Sequence, residues 1–238
     1  MAEEETRRLI AVMKSYERKS KLPHYDMWGR FTGSYDFKIE ELNYVTMECP
    51  GPLESDSLAL DAGCGFGVHS HMLSDKGYRV VSLDVSVGML KKARSLVNKS
   101  CVSFVRGSIT HLPFKEKVFE LILCLDTLHH LTDEHFDKSL REFRRIAQID
   151  GLFITDTKNT LNPLLFMRYH VANMRWARTG GLTLISRSLN RVERRLKECG
   201  FEPMKTHGIG FFMSMIAPYI VVISKTFDRA VDEEKHTD

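Results

Sequence analysis

Three glycines and two aspartates carry the first chemical signal in this 238-residue chain. Gly63, Gly65 and Gly67 lie in the stretch LALDAGCGFGVHS (58–70), directly after an apolar run. Glycines this close together clear side chains from the backbone, most often because a ligand lies against it. The spacing is not that of a dinucleotide loop, GxGxxG or GxGxxA, since Val68 stands where the third small residue belongs. Nor does a Lys-Ser or Lys-Thr pair follow, as a phosphate loop requires. Asp61, just ahead of the loop, repels phosphate and suits an ammonium group. Asp84 ends a second apolar run, where a carboxylate accepts hydrogen bonds from two vicinal hydroxyls, as on a ribose.

A ligand with a ribose at one end, an amine at the other and no pyrophosphate fits S-adenosylmethionine. The remaining chemistry-bearing residues are less directive. His129 and His130 invite a metal, but adjacent residues at a helix start are expected to point apart, and no third ligand is evident; no metal is expected. The five cysteines (49, 64, 101, 124 and 199) include no CxxC pair, which predicts reduced thiols in a cytoplasmic protein. The net charge, 34 − 31 = +3, is too mild to imply nucleic acid. The start, MAEEETRRLIAVMK, lacks a signal-peptide core, and no apolar run approaches the ~20 residues that span a bilayer.

The elements that must position these residues follow from periodicity. Residues 2–20 and 38–48 read as helices, with an aromatic loop or lid over 24–37 between them. Strands are predicted over 57–61, 79–84, 102–106, 119–125 and 152–156, with helices over 67–76, 87–99 and 133–146. This alternation predicts a parallel sheet with helices on both faces, binding its ligand at the carboxyl ends of the strands. Residues 157–186 form a long, partly helical connection and 187–199 a charged helix. Strands near 204–212 and 218–227, with no helix between them, predict an antiparallel hairpin, followed by a charged, disordered tail.

The motifs DAGCGFG, LDVSVGMLKKA (83–93), VRGSITHLPF (105–114), FELILCLDTLHHL (119–131) and REFRRIAQIDGLFITDT (141–157) stand in register. Together they resemble the class I S-adenosylmethionine-dependent methyltransferases of the type-11 small-molecule kind, over about residues 57–157. The resemblance implies a Rossmann-like seven-stranded, mostly parallel sheet whose last strand is antiparallel, with an N-terminal helical lid over 1–52. The methyltransferase domain would then cover 53–228, with 157–186 as an acceptor-side insertion and 229–238 as the tail. It implies that the loop from Asp61 through Gly63, Cys64 and Gly65 to Gly67 holds the methionine end and that Asp84 takes the ribose hydroxyls. Val85 and Met89 would lie against adenine or ribose, Ser108 and Ile109 at the adenine edge, and the Leu125 backbone near the amine. Where the family commonly has an acidic residue in GDA, this chain has Gly107-Ser108-Ile109. Tyr35 is the candidate for closing an aromatic lid over the cofactor.

The expected activity is methyl transfer to a small-molecule acceptor, an anionic one among the candidates, leaving S-adenosylhomocysteine. Asp126, His129 and His130 are the candidate bases for an acceptor that must lose a proton. Arg168, Arg175 and Arg178, interleaved with Phe166, Tyr169 and Trp176, could clamp an anionic acceptor, contact RNA or rest on anionic lipid. The alternatives to a small-molecule enzyme are an RNA (tRNA) methyltransferase and a catalytically silent cofactor-binding regulator. A monomer or homodimer is expected, and Asn162-Pro163 is read as a chance likeness to an amine-methylating box.

Overall fold

Short apolar runs alternating with amphipathic segments fold here into one seven-stranded sheet, in the order β3-β2-β1-β4-β5-β7-β6. The structure is a computed structural model and describes residues 34–177, 185–210 and 217–227. After helix α1 (Ser34–Glu48) come β1 (Leu58–Ala62), α2 (Val68–Asp75), β2 (Arg79–Asp84), α3 (Val87–Leu96), β3 (Val102–Arg106) and β4 (Phe119–Cys124). A 3-10 turn, Leu128–His130, leads into α4 (Asp133–Ile146). Then follow β5 (Ala147–Lys158), α5 (Pro163–Ala177), α6 (Leu189–Glu198), β6 (Phe201–Ile209) and β7 (Tyr219–Thr226). Strands β1 to β5 pair in parallel, and β7 runs antiparallel to both β5 and β6.

Both faces of the central strands are buried, which is why they read as continuous apolar runs rather than alternating ones. On one face, Leu60, Leu83, Ile122 and Phe153 pack with Phe136, Leu140, Phe143 and Ile146 of α4 and Val192 and Leu196 of α6. On the other, Ala59, Val80, Leu121, Leu123 and Ile154 pack with Val45 of α1 and Met72 and Leu73 of α2. Each large aliphatic or aromatic side chain so buried contributes about 1.5–3 kcal/mol. Helix α4 is anchored at both ends: Thr132 accepts from His135 N at 3.4 Å, Asp133 and Glu134 open it, and Arg144 and Arg145 close it.

The strand order reverses between β1 and β4, so the crevice at their carboxyl ends is the place for a ligand. The turns after β1, β2 and β4 converge there.

Three expectations about the elements change. Residues 34–37 form the first turn of α1 instead of a loop, while 2–20 and 24–33 lie outside the described residues, as does the tail from 228. Strand β5 runs from 147 to 158 rather than 152 to 156. Its outer end is polar and so lacks an apolar signature, but β7 supplies ladder partners as far as Lys158, opposite Tyr219. Strand β6 begins at Phe201, whose buried ring packs on Phe153, and ends at Ile209; residues 211 and 212 lie outside the described residues. The Asn162-Pro163 dipeptide starts α5: Asn162 Oδ1 accepts from Leu165 N at 2.8 Å, and proline suits the first helical position.

Candidate active site

The glycine loop is pinned to the end of β2, with Gly63 N and Cys64 N donating to Leu83 O at 2.7 and 3.0 Å. All three glycines take positive φ, 81°, 53° and 79°. Their surroundings differ. A β-carbon at Gly63 would overlap the Thr127 side chain, and one at Gly67 would come within 2.8 Å of Val97 Cγ2. A β-carbon at Gly65 would meet nothing within 4 Å. Two glycines therefore serve packing, and the middle one faces open space.

Asp84 is held in place beside that space. Its Oδ2 accepts from Gly65 N at 3.0 Å and its Oδ1 from Ser86 N at 2.7 Å. Each oxygen retains lone-pair capacity for an outside donor. Val85, next along, is 68% exposed, leaving an apolar side chain beside a fixed carboxylate. Met89 follows in the first turn of α3, its N–H donating to the Ser86 side chain. These features fit a nucleoside: a carboxylate for hydroxyls, an apolar surface for a base and bare backbone for close approach.

Asp61 lies beneath the loop, 3% exposed. Its Oδ2 accepts from Ser70 Oγ at 2.5 Å, and Ser70 accepts in turn from Ser82 Oγ at 2.7 Å. Burial raises its pKa, against the opposing pull of His69 and the Ser70 hydrogen bonds. Ser108 is exposed and shares a hydrogen bond with the Thr110 hydroxyl, whereas the side chains of Cys64, Ile109 and Leu125 are buried in or beside the core. Tyr35 falls in the first turn of α1.

The turn after β4 carries a charge network that sequence reasoning missed. Lys158 Nζ, on a side chain 1% exposed, donates to Asp126 Oδ1 and Asp156 Oδ2, both at 2.6 Å. It also lies 4.0 Å from the centre of the Tyr219 ring. Asp126 N donates to Asp156 Oδ1 at 2.7 Å, and Asp126 itself sits at φ 56°. From α1, Lys38 Nζ reaches Asp126 Oδ2 and Glu41 Oε2, both at 2.9 Å. Desolvation opposes the charge on Asp126, yet Lys158 and Lys38 prevail and hold its carboxyl well below the usual range. Asp156 is lowered by the same balance. Glu41 goes the other way, its pKa raised by burial, and its Oε1 is buried without a hydrogen-bond partner among the described residues. The available signal was the pair Asp156 and Lys158, two apart and hence on one face of a strand end.

His129 and His130 do not point apart. Their rings lie 4.0 Å apart between centroids and are tilted by 44°, on the 3-10 turn Leu128–His130. Burial, reinforced by Lys158, lowers the His129 pKa to about 3, so its imidazole is neutral near pH 7. Tyr169 of α5 lies 6.3 Å from it, centre to centre. Among the described residues, no three His, Cys, Asp or Glu are gathered so as to hold a metal. A carboxylate paired to two ammonium groups and an imidazole this hard to protonate are both weak bases, so the arrangement favours placement over proton abstraction.

Arg187, expected to open the charged helix 187–199, departs from that expectation. It is buried ahead of α6, donating to Leu128 O at 3.2 Å, Leu131 O at 2.7 Å and Asp133 Oδ1 at 3.2 Å, with Phe136 under its guanidinium. It thus braces the turn that carries the histidines. The side chains of Arg168, Arg175 and Arg178 lie outside the described residues.

The seven-stranded fold is that of the Rossmann-like methyltransferases, and the middle of the chain matches a methyltransferase family. Residues 60–155 match the family described as Methyltransferase domain, of the type-11 group. The chain is similar to an uncharacterised protein of Methanocaldococcus jannaschii, 36% identical over 106 residues, covering 44% of this chain and 43% of that one. It is also 30% identical over 118 residues to a malonyl-[acyl-carrier protein] O-methyltransferase of Hamiltonella defensa, covering 50% and 44%. Among solved structures, an S-adenosylmethionine-dependent methyltransferase from Mesorhizobium loti superposes with a TM-score of 0.62 at 16% identity, over 79% of this chain and 97% of that one. The chain spans under half the length of these two curated relatives.

Proposed function

We propose that this chain transfers a methyl group from S-adenosylmethionine to a small-molecule acceptor. The observation that carries the reading is the open space over Gly65, bordered by the fixed carboxylate of Asp84 and the exposed Val85. When bound, the cofactor supplies an electrophilic methyl on a sulfonium, open to in-line displacement. Asp84 accepts from ribose hydroxyls, Val85 and Met89 cover the base, Ser108 stands at its edge, and the Asp61–Gly67 loop holds the amino-acid end. Lys158 and Asp156 keep the Leu125–Asp126 backbone in place, and Lys38 ties α1 across the turn. The rate then comes chiefly from orientation in a closed site.

Calorimetry with S-adenosylmethionine and S-adenosylhomocysteine tests this. Both are expected to bind the wild type, and Asp84→Ala is expected to weaken binding at least about tenfold, the worth of charge-assisted hydrogen bonds. A folded protein that gives no heat with either ligand would sink the reading, and displacement by NAD would reopen a dinucleotide site. Turnover of labelled cofactor against a panel of small acids, phenols and amines then identifies the acceptor.

A further inference from the structure

Helix α5 is apolar on the side where a surface helix is ordinarily polar. Leu165 and Tyr169 are buried, so they mark the face turned to the protein. Leu164, Met167, Val171 and Met174 are between 36% and 61% exposed. At about 100° per residue, these four positions fall on one stripe of about 80°, opposite the buried pair. Leu161 and Phe166 add exposed apolar surface at the start of the helix. A single exposed leucine or methionine is unremarkable, but a contiguous outward stripe marks an interaction surface.

Charge says what covers it. The sequence holds no Asp or Glu between Asp156 and Glu193. The helical register sets positions 168 and 175, both arginine, beside the stripe, and Arg178 follows the helix. An exposed apolar stripe on a helix whose sequence carries arginines at 168 and 175 and no acid is complementary to an anionic lipid surface. A two-fold contact between copies would instead bring like charges together. No helix among the described residues is long and apolar enough to cross a membrane.

We infer that the outer face of α5 docks the protein on an anionic lipid surface. The inner face of the same helix carries Tyr169 towards His129, so docking sets the acceptor side of the site at the lipid boundary. Resting on the methyltransferase reading, this makes the acceptor an amphiphile that partitions into lipid.

The test is co-sedimentation of the full chain with vesicles of phosphatidylcholine, alone or mixed with phosphatidylglycerol. Binding is expected to the mixed vesicles, weakened by salt. The double variant M167D/V171D is expected to lose at least about tenfold in binding, since two inserted side chains become charged. R168Q/R175Q is expected to lose chiefly the salt-sensitive part. Melting curves and cofactor titrations of each variant should match the wild type. Failure of the wild type to sediment with anionic vesicles at low salt would overturn the inference. So would equal binding by M167D/V171D, or light scattering showing that the stripe pairs two copies instead. Vesicle binding without cofactor binding would keep the surface and remove the enzymatic reading, so the two failures are distinguishable.

Discussion

Gly63 and Gly65 are alike in the sequence and opposite in what they face. Gly63 packs against Thr127, so Gly63→Ala combines an unfavourable positive φ with overlap and is expected to cost about 2–4 kcal/mol in a denaturant titration. Gly65→Ala carries only the backbone term, about 1 kcal/mol, yet its methyl enters the space assigned to the cofactor. It should stay folded while losing cofactor affinity by at least about tenfold. Equal stability losses in the two variants would contradict this division. The loop and both aspartates were legible from residue type and spacing alone. Lys38, Glu41, Asp156 and Lys158 were not, because they come from α1 and β5 and meet only when those elements are placed around the turn after β4.

Among the elements, the turn holding His129 and His130 depends on a residue far along the chain. Arg187 satisfies two carbonyls of that turn and reaches the first residue of α4, a planar fork that lysine cannot reproduce. Arg187→Lys is therefore expected to destabilise by about 1–3 kcal/mol. The exposed Arg191 pairs with the same Asp133, and Arg191→Lys should change stability by under about 0.5 kcal/mol. Thermal melts of the two variants check the contrast. Helix α4 was readable to the residue from its apolar spacing, and β2 and β3 as short apolar runs in the strand–helix alternation. The polar end of β5 was not, since its strand geometry comes from the β7 ladder rather than from alternation. Likewise, Arg187 reads as one more charge of a basic run until the fold buries it.

For the whole molecule, the site's buried groups set the acid stability. His129 has its pKa lowered from 6.5 to about 3, and His69 is lowered as well, so the unfolded chain binds more protons over that range. Their contribution weakens stability as the pH falls from about 6.5 towards 3. Glu41 and Asp61, raised by burial, act in the opposite sense above their ordinary range, since they hold protons longer in the folded state. The wild-type curve is thus a balance, and His129→Asn isolates one side of it. Urea titrations at steps of pH should show wild-type stability falling relative to the variant below about pH 6.5, with a slope of up to about 1.4 kcal/mol per pH unit. Parallel curves would refute the neutral, buried assignment of His129.

By itself the sequence determined the class of fold, the succession of strands and helices along the chain and the nature of the cofactor. Those depend on local periodicity and on motifs whose partners lie within a few residues. Tertiary structure alone decided which glycine faces open space, which lysines pair with Asp126 and which side of α5 is exposed and apolar. Each is a relation between elements distant in the chain, and close packing settles it in three dimensions where sequence spacing carries no trace.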